Sequence, residues 1–247
     1  MGLHWDTAAD TLHVATPQLE DNSSATKRQV ASDLARTFDI LGWFAPSTVK
    51  VKAVMQRLWQ LGLNWDEQVP SDIEDIWKTW RNQLPLLTRH PMPCCYFQPS
   101  KSALSIQLHG FSDASKVAYA GVVYVRAVYQ DATVSVSLML AKSRIAPLKG
   151  ITVPRLELCG VQLLSKLMDI ARKILSIDLC NTFAWCDSSV VLGWLNTTPG
   201  RLNTFVSNRV VDTISRLPPT LWRYVSTKHN PADVASRGLF PNELLQH

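Results

Sequence analysis

The sequence predicts an α/β domain, a mixed five-stranded sheet with flanking helices, preceded by a small helical segment. Three observations carry this. Apolar residues recur at helical spacing over residues 26–84 and at strand spacing from residue 104 onward. Between the two lies 85–103, "PLLTRHPMPCCYFQPSKSA", whose four prolines break every period. Beyond it, three strand patterns with short polar breaks precede an order of helix, strand, helix, helix, strand and helix opening. Leading hairpin strands followed by crossover connections imply a mixed sheet with helices on its faces.

The elements follow in order. Residues 1–25 are polar and weakly patterned, an extended lead or short hairpin. "TKRQVASDLARTF" places Thr26 and Gln29 in capping-box register, with Val30, Leu34 and Phe38 on one face and Gly42 ending the run. "STVKVKAVMQRLWQLGL" opens at Ser47 after Pro46, with Val51, Met55 and Leu58 in phase. "SDIEDIWKTWRNQL" repeats the box with Ser71 and Glu74 and turns Ile73, Ile76, Trp77, Trp80 and Leu84 to one side. None of these helices carries a catalytic constellation. After the Pro-rich linker, 104–240 forms the mixed-sheet domain. "LSIQLHGFSD" points Ile106 and Leu108 inward, "AYAGVVYVRAVY" is apolar and β-rich, and "ATVSVSLML" alternates through Val134, Val136, Leu138 and Leu140. "PRLELCGVQLLSKLMDIARKIL" is a long helix with Pro154 in its first turn. "NTFAWCD" and "LWRYVST" are the remaining strands; the helix of "SSVVLGWLN" follows the first at once, and "NPADVASRG" opens a last helix after the second.

Charge separates the same halves. The chain carries +5, yet residues 1–99 hold 9 Lys and Arg against 11 Asp and Glu, and 100–247 hold 16 against 9. A basic half suits a polyanionic partner, and ordinary solvated surface charge accounts for the same count. Five cysteines with no C-x-x-C pair argue against a disulfide framework and a structural zinc. Cys159, Cys180 and Cys186 lie in apolar runs and are expected as core thiols. The opening "MGLHWDTAAD" has no signal-peptide or myristoylation pattern, and no run has the length of a membrane helix. An intracellular protein, cytoplasmic or nuclear and not secreted, with no membrane partner, is expected.

Four acids occupy particular places. Asp113 ends the first strand, Glu157 sits in the first turn of the long helix, Asp187 ends the fourth strand, and Asp233 opens the last helix. Ligand sites of open α/β sheets lie beyond the carboxyl ends of their strands. If strands one and four are parallel neighbours, Asp113 and Asp187 emerge there side by side. Glu157 shares a helix face with Val161 and Leu164 and comes in from above, and Asp233 closes the fourth side. Clustered carboxylates repel unless a cation neutralises them, and their hard oxygens suit two Mg²⁺ or Mn²⁺ ions rather than zinc. Such a pair serves the attacking and leaving oxygens of a phosphodiester. Taken singly, each acid also has a structural reading: Asp187 as a helix cap, Glu157 and Asp233 as partners of a helix dipole. The four together favour the metal site.

The segments "HGFSDASKVAYAGVVYV", "AKSRIAPLK", "PRLELCGVQLLSKL", "WCDSSVVLGWL" and "HNPADVASRG" resemble the ribonuclease H domain in the polyprotein of Bel/Pao LTR retrotransposons. "TKRQVASDLARTFDILGWFAPSTVKVKAVMQRLW" and "LNWDEQVP" resemble that family's segment connecting reverse transcriptase to ribonuclease H. The resemblance covers nearly the whole chain. It implies a ribonuclease H-like fold, with Asp113, Glu157, Asp187 and Asp233 as the metal-binding, catalytic carboxylates of an endonuclease that cleaves the RNA strand of an RNA/DNA hybrid. It also implies other polyprotein parts, reverse transcriptase and integrase, as partners. Departures are visible. There is no Y-x-D-D or Asp-Asp pair, and nothing resembles the integrase's zinc module or catalytic core, so the chain resembles a polyprotein fragment. Cys186 replaces the usual hydroxyl residue before the third acid. Many retroviral-type ribonucleases carry a His in a loop before the last Asp; His229 reads either as that residue or as a loop His making surface contacts. The family also goes by the label Pao retrotransposon peptidase. An aspartic peptidase needs Asp-Thr/Ser-Gly, and the nearest run is Asp187-Ser188-Ser189.

RNA is distinguished at the scissile step by its 2′-hydroxyl. Ser112, Ser115 and Asn230, beside the acids, are candidate contacts, and equally turn and cap residues. Lys142, Arg144 and Lys149 precede the long helix and suit phosphates of the DNA strand, or a solvated basic loop. The competing class is a non-catalytic remnant that binds nucleic acid or a protein partner.

Overall fold

The computed structural model describes residues 2–14, 25–98 and 100–247. The chain divides into two compact units, Met1–Cys94 with Gly238–His247, and Cys95–Arg237.

In the first unit, β1 (Leu3–Asp6) and β2 (Thr11–Val14) form an antiparallel hairpin. The rest of the expected lead, 15–24, lies outside the described residues. Helix α1 (Lys27–Arg36) is capped by Thr26, whose Oγ1 accepts from Gln29 N at 3.2 Å. The Gln29 amide donates forward to Asp33 Oδ1 at 2.7 Å, so only half of the expected box forms. Phe38 falls beyond the helix and is exposed, which corrects its place on the buried face. Helix α2 (Ala45–Gln60) starts two residues earlier than expected, with Pro46 in its first turn, where no N–H is needed. Helix α3 (Ser71–Thr88) is capped by Pro70 rather than Ser71, and it runs through Pro85. Proline removes the hydrogen bond to the Arg81 carbonyl. Leu84 and Leu87, both buried, hold the helix together on either side of it. Three residues separate the end of α3 from Met92–Pro93, which form β3 and pair with β2. The stretch 85–103 is therefore not irregular throughout, as its prolines suggested. Val30, Val49, Leu58, Ile73, Trp77 and Trp80 fill this unit's core.

The second unit holds the mixed sheet. Strands β4 (Ala103–Ala114), β5 (Ala118–Tyr129) and β6 (Val134–Ile145) form an antiparallel meander. Helix α4 (Val153–Leu175) crosses the sheet and leads to β7 (Thr182–Cys186), which pairs parallel to β4. Helices α5 (Ser189–Leu195) and α6 (Thr204–Ile214) follow, then β8 (Trp222–Tyr224), parallel to β7, and α7 (Asp233–Arg237). The strand order is β6-β5-β4-β7-β8, a mixed five-stranded sheet with flanking helices.

Helix α4 buries Leu158, Val161, Leu164, Met168 and Ala171, which recur at i, i+3 and i+4 and pack against Leu108, Val123, Val125 and Ala184 of the strands. Each fully buried aliphatic side chain contributes about 2 kcal/mol. Two strand glycines admit the helix: a Cβ at Gly121 would stand 3.1 Å from the Leu164 Cα, and one at Gly110 would overlap Met168. Two expectations need correction. Val134 and Val136 are 47% and 61% exposed, because a bulge between the pairs Val123–Leu140 and Tyr124–Leu138 turns Met139 inward and breaks the single alternation. Cys180 is exposed in a one-turn segment before β7, while Cys159 and Cys186 are buried.

Candidate active site

Because β4 and β7 are parallel neighbours with Ser112 opposite Cys186, the next residues, Asp113 near the end of β4 and Asp187 just past β7, come side by side. Asp113 is buried, and its carboxyl lies within hydrogen-bonding reach of Asp187 and feels the charge of Asp233. Glu157 descends from the first turn of α4 and feels the charge of Asp187. The close seat of α4 depends on Gly160, where a Cβ would come within 3.0 Å of the Asp113 carbonyl oxygen. The four acids thus form one electrostatic chain, Glu157–Asp187–Asp113–Asp233.

Their ionisation reflects this crowding. Burial, chiefly, and the charges of Asp187 and Asp233 push the Asp113 carboxyl up to about 6, against the hydroxyl of Ser236, which stabilises the anion. Burial also raises Glu157, with Asp187 adding to the effect and a hydrogen bond from Ser188 opposing it. Beside them the Cys186 thiol is pushed up to about 12 by burial and stays protonated. It replaces the usual hydroxyl as a buried packing group, with the Ser188 N–H donating to its Sγ at 3.3 Å.

Each acid has a protein partner. Ser236 Oγ donates to Asp113 Oδ2. Thr227 Oγ1 donates to Asp187 Oδ2 at 2.9 Å. Arg237 Nε donates to Asp233 Oδ1 at 2.7 Å. Ser188 hydrogen-bonds Glu157. Spacing hinted at one of them: Arg237 lies four residues after Asp233, on one face of a helical turn. Thr227 carries no such signal.

The donor set suits a hard divalent cation. Asp113 and Glu157 both feel the charge of Asp187, whose Oδ1 is buried and receives no donor. Asp113 can hydrogen-bond to Asp187 only as the neutral acid, so two ionised neighbours need a cation. As the side chains stand, no group of three or more His, Cys, Asp or Glu among the described residues is arranged to hold a metal ion.

The other candidates fall into two sets. Ser112 is buried and donates to the Trp185 carbonyl at 3.4 Å. Ser115 donates to the Ser236 carbonyl at 2.8 Å and caps the β4–β5 turn by accepting from Val117 N and Ala118 N. Asn230, also buried, donates to the Ser112 carbonyl at 3.0 Å and accepts from Ala232 N. The polar groups of these three are engaged within the protein. Lys142, Arg144 and Lys149 are exposed and have no ion-pair partner among the described residues. His229 is a surface residue whose Nδ1 contacts Ser226 Oγ at 2.8 Å. The run Asp187-Ser188-Ser189 is a strand end leading into α5, with Ser188 as the helix cap, and it is no peptidase loop.

A family model described as the Pao retrotransposon-like RNaseH-like domain matches residues 26–188. The chain belongs to that family. The match takes in Asp113, Glu157 and Asp187 and stops before Asp233. No protein of curated function matches the chain in sequence. Among solved structures, the chain is similar to the N-terminal RNase H domain of a Mycobacterium tuberculosis protein solved as a fusion with maltose-binding protein, at 12% identity and a TM-score of 0.33, covering 57% of this chain and 98% of that one. It is likewise similar to RNase H1 from the halophilic archaeon Halobacterium salinarum, at 14% identity and a TM-score of 0.31, covering 57% of this chain and 97% of that one. No helix among the described residues is long and apolar enough to cross a membrane.

Proposed function

We propose that this Pao-family chain hydrolyses the RNA strand of RNA/DNA hybrids, with Asp113, Glu157, Asp187 and Asp233 as the groups that hold two Mg²⁺ or Mn²⁺ ions. The observation that carries the reading is the buried Asp187 oxygen with no donor, beside Asp113 and Glu157, whose carboxyls feel its charge. When bound, the two ions supply an activated water and stabilise the leaving 3′ oxygen of the phosphodiester. The chain's own residues do the positioning. Thr227 and Ser236 each hold one oxygen, of Asp187 and Asp113 respectively, and the other Asp187 oxygen receives no donor. Asp113, as an anion, supplies charge to the site only above its raised titration range. Lys142, Arg144 and Lys149, unpaired at the edge strand and the loop after it, are offered to backbone phosphates of the hybrid. Reverse transcriptase and integrase segments of a retroelement polyprotein remain the proposed protein partners, in an intracellular setting.

A second reading, a hybrid-binding remnant that does not cut, draws on the Arg237–Asp233 pair, which occupies one of the four acids. A single assay separates the two. Purified chain is given an end-labelled RNA/DNA hybrid with Mg²⁺ or Mn²⁺, beside Asp187→Asn. Metal-dependent RNA cleavage by the wild type alone supports the nuclease. Binding without cleavage by either protein supports the remnant, and equal cleavage by both removes Asp187 from the site.

A further inference from the structure

The central sheet has a second face, turned away from α4, and it is aromatic. Strand alternation places His109 and Phe111 of β4, Tyr124 of β5, and Phe183 and Trp185 of β7 there. The rings align across strands. His109 stacks on Phe183 with centroids 4.9 Å apart and planes 24° from parallel, and Phe111 on Trp185 at 6.1 Å and 12°. Tyr124 meets Phe111 edge-on at 6.0 Å. All five rings are partly exposed.

Two cations share this face. The Arg223 guanidinium lies 4.8 Å from the Phe183 ring centre and 5.8 Å from that of Trp185. Arg126 Nη1 donates to Gln107 Oε1 at 2.9 Å. Trp185 Nε1 donates to His109 Nδ1 at 3.4 Å, which leaves Nε2 to donate to the same Gln107 oxygen at 3.3 Å. His109 is thereby held as neutral imidazole, its pKa lowered by burial first and then by the two guanidiniums. Asp113, at the end of β4, is the sole acid in the five strands. A cavity of about 380 Å³ opens on this face, between Phe111, Tyr124 and Val136 on one side and His229 and Pro231 on the other.

We propose that this face binds single-stranded nucleic acid, its bases stacked on Phe111 and Trp185 and its phosphates on Arg126 and Arg223. Flat rings with cations at their margin fit unpaired bases, whose faces are open, whereas a duplex hides its base faces within its own stack. The face offers π surface and positive charge rather than the aliphatic groove that a helix's apolar stripe requires. It is also continuous with the acids. Phe111 and Trp185 each stand two residues before Asp113 and Asp187 on the same strand faces, and Pro231 stands two before Asp233. A strand leaving the acids therefore meets the rings first. The inference does not rest on cleavage.

The test is fluorescence anisotropy of labelled oligo(dT) and oligo(U) with the full chain, at low salt and in EDTA. Wild type is expected to bind either strand. Trp185→Leu should weaken binding about tenfold through the lost base stack. Arg223→Ala, at an exposed site that leaves folding intact, should lower the slope of log affinity against log salt by about 0.7 through one lost phosphate contact. Absence of wild-type binding, or binding unchanged in both variants, overturns the proposal. So does a dimer in light scattering that Val136→Asp dissociates while neither strand binds, since a second copy then covers the face. Asp187→Asn keeps oligonucleotide binding while losing cleavage, so this proposal and the nuclease reading fail separately.

Discussion

Arg237 reaches back one helical turn to hold Asp233, Nε to Oδ1 at 2.7 Å, in a pair whose Arg side chain is 63% exposed. The pair places a fixed cation on one of the four acids. Any divalent ion drawn to Asp233 competes with it. The exposed guanidinium is well screened, so the competition is modest. Arg237→Gln is expected to lower the Mg²⁺ concentration for half-maximal cleavage by about threefold. A Mg²⁺ titration of the cleavage rate measures this, and a higher requirement in the variant would mean that Arg237 orders the site instead.

Asp113 carries the cost of the cluster. With its carboxyl raised to about 6, ionisation at neutral pH works against the fold. Asp113→Asn removes a repelling charge and keeps an oxygen for the Ser236 hydroxyl. In EDTA this variant should melt about 3 °C above wild type. Mg²⁺ should raise the melting temperature of wild type and not of the variant, which should also be inactive. A variant that melts lower in EDTA would place the Asp113 charge among the stabilising interactions.

The same carboxyl sets a pH dependence. Its folded pKa lies above the ordinary value of 3.8. Its contribution to metal-free stability is therefore fully present below 3.8 and is lost as pH rises through about 6. Metal binding runs the opposite way, since the ion needs the anion. Mn²⁺ affinity followed by calorimetry should fall steeply as pH drops from 7 through about 6. Affinity that is flat across this range would show that Asp113 is already ionised.

Much of this was legible from residue types alone. The order of strands and helices followed from period changes and turn residues, whereas the parallel pairing of β4 with β7 stood only as a condition, which the register of Ser112 opposite Cys186 meets. That pairing alone brings Asp113 beside Asp187. Three features were hidden. Pro85 lies inside α3 because the buried Leu84 and Leu87 outweigh one lost hydrogen bond, a tertiary effect that local propensity does not contain. The bulge at Met139 is invisible in a run that alternates in either register. The partners of the acids come from far along the chain, 40 residues in the case of Thr227 and Asp187 and 123 in that of Ser236 and Asp113, and only the closed sheet unites them.

In the first unit, the half-buried Asp39 has its carboxyl pushed up to about 6 by desolvation although Phe44 N donates to it at 2.9 Å. Its contribution to stability is full below the ordinary 3.8 and is lost as pH rises through about 6. Asp39→Asn retains an acceptor for the Phe44 N–H and removes the charge. The variant should gain on wild type with rising pH, by about 2 kcal/mol between pH 4 and pH 8. Urea melts at the two values, followed by fluorescence of the tryptophans in this unit, report the difference. A gap between the proteins that does not change with pH would mean that Asp39 titrates normally.

Gly160 ties the packing of α4 to the geometry of the acids. It sits one turn beyond Glu157, and a Cβ there would meet the Asp113 carbonyl oxygen at 3.0 Å and that of Ala120 at 3.4 Å. Neither neighbour is a flexible side chain; both are backbone of adjacent strands, locked in the β4–β5 ladder. The helix must therefore lift by a few tenths of an ångström, and it lifts at the turn that carries Glu157. Alanine is the better helix former by about 1 kcal/mol, which offsets part of the strain. Gly160→Ala should then fold with a stability within about 1–2 kcal/mol of wild type. Its cleavage should fall by about tenfold or more, because a catalytic group displaced by a fraction of an ångström loses much of its effect. Gly193→Ala, at a helical position with nothing within 4 Å of the new Cβ, is the control and should leave cleavage unchanged. Circular dichroism and the hybrid assay on both variants decide the point: full activity in Gly160→Ala would free the height of α4 from any part in placing Glu157.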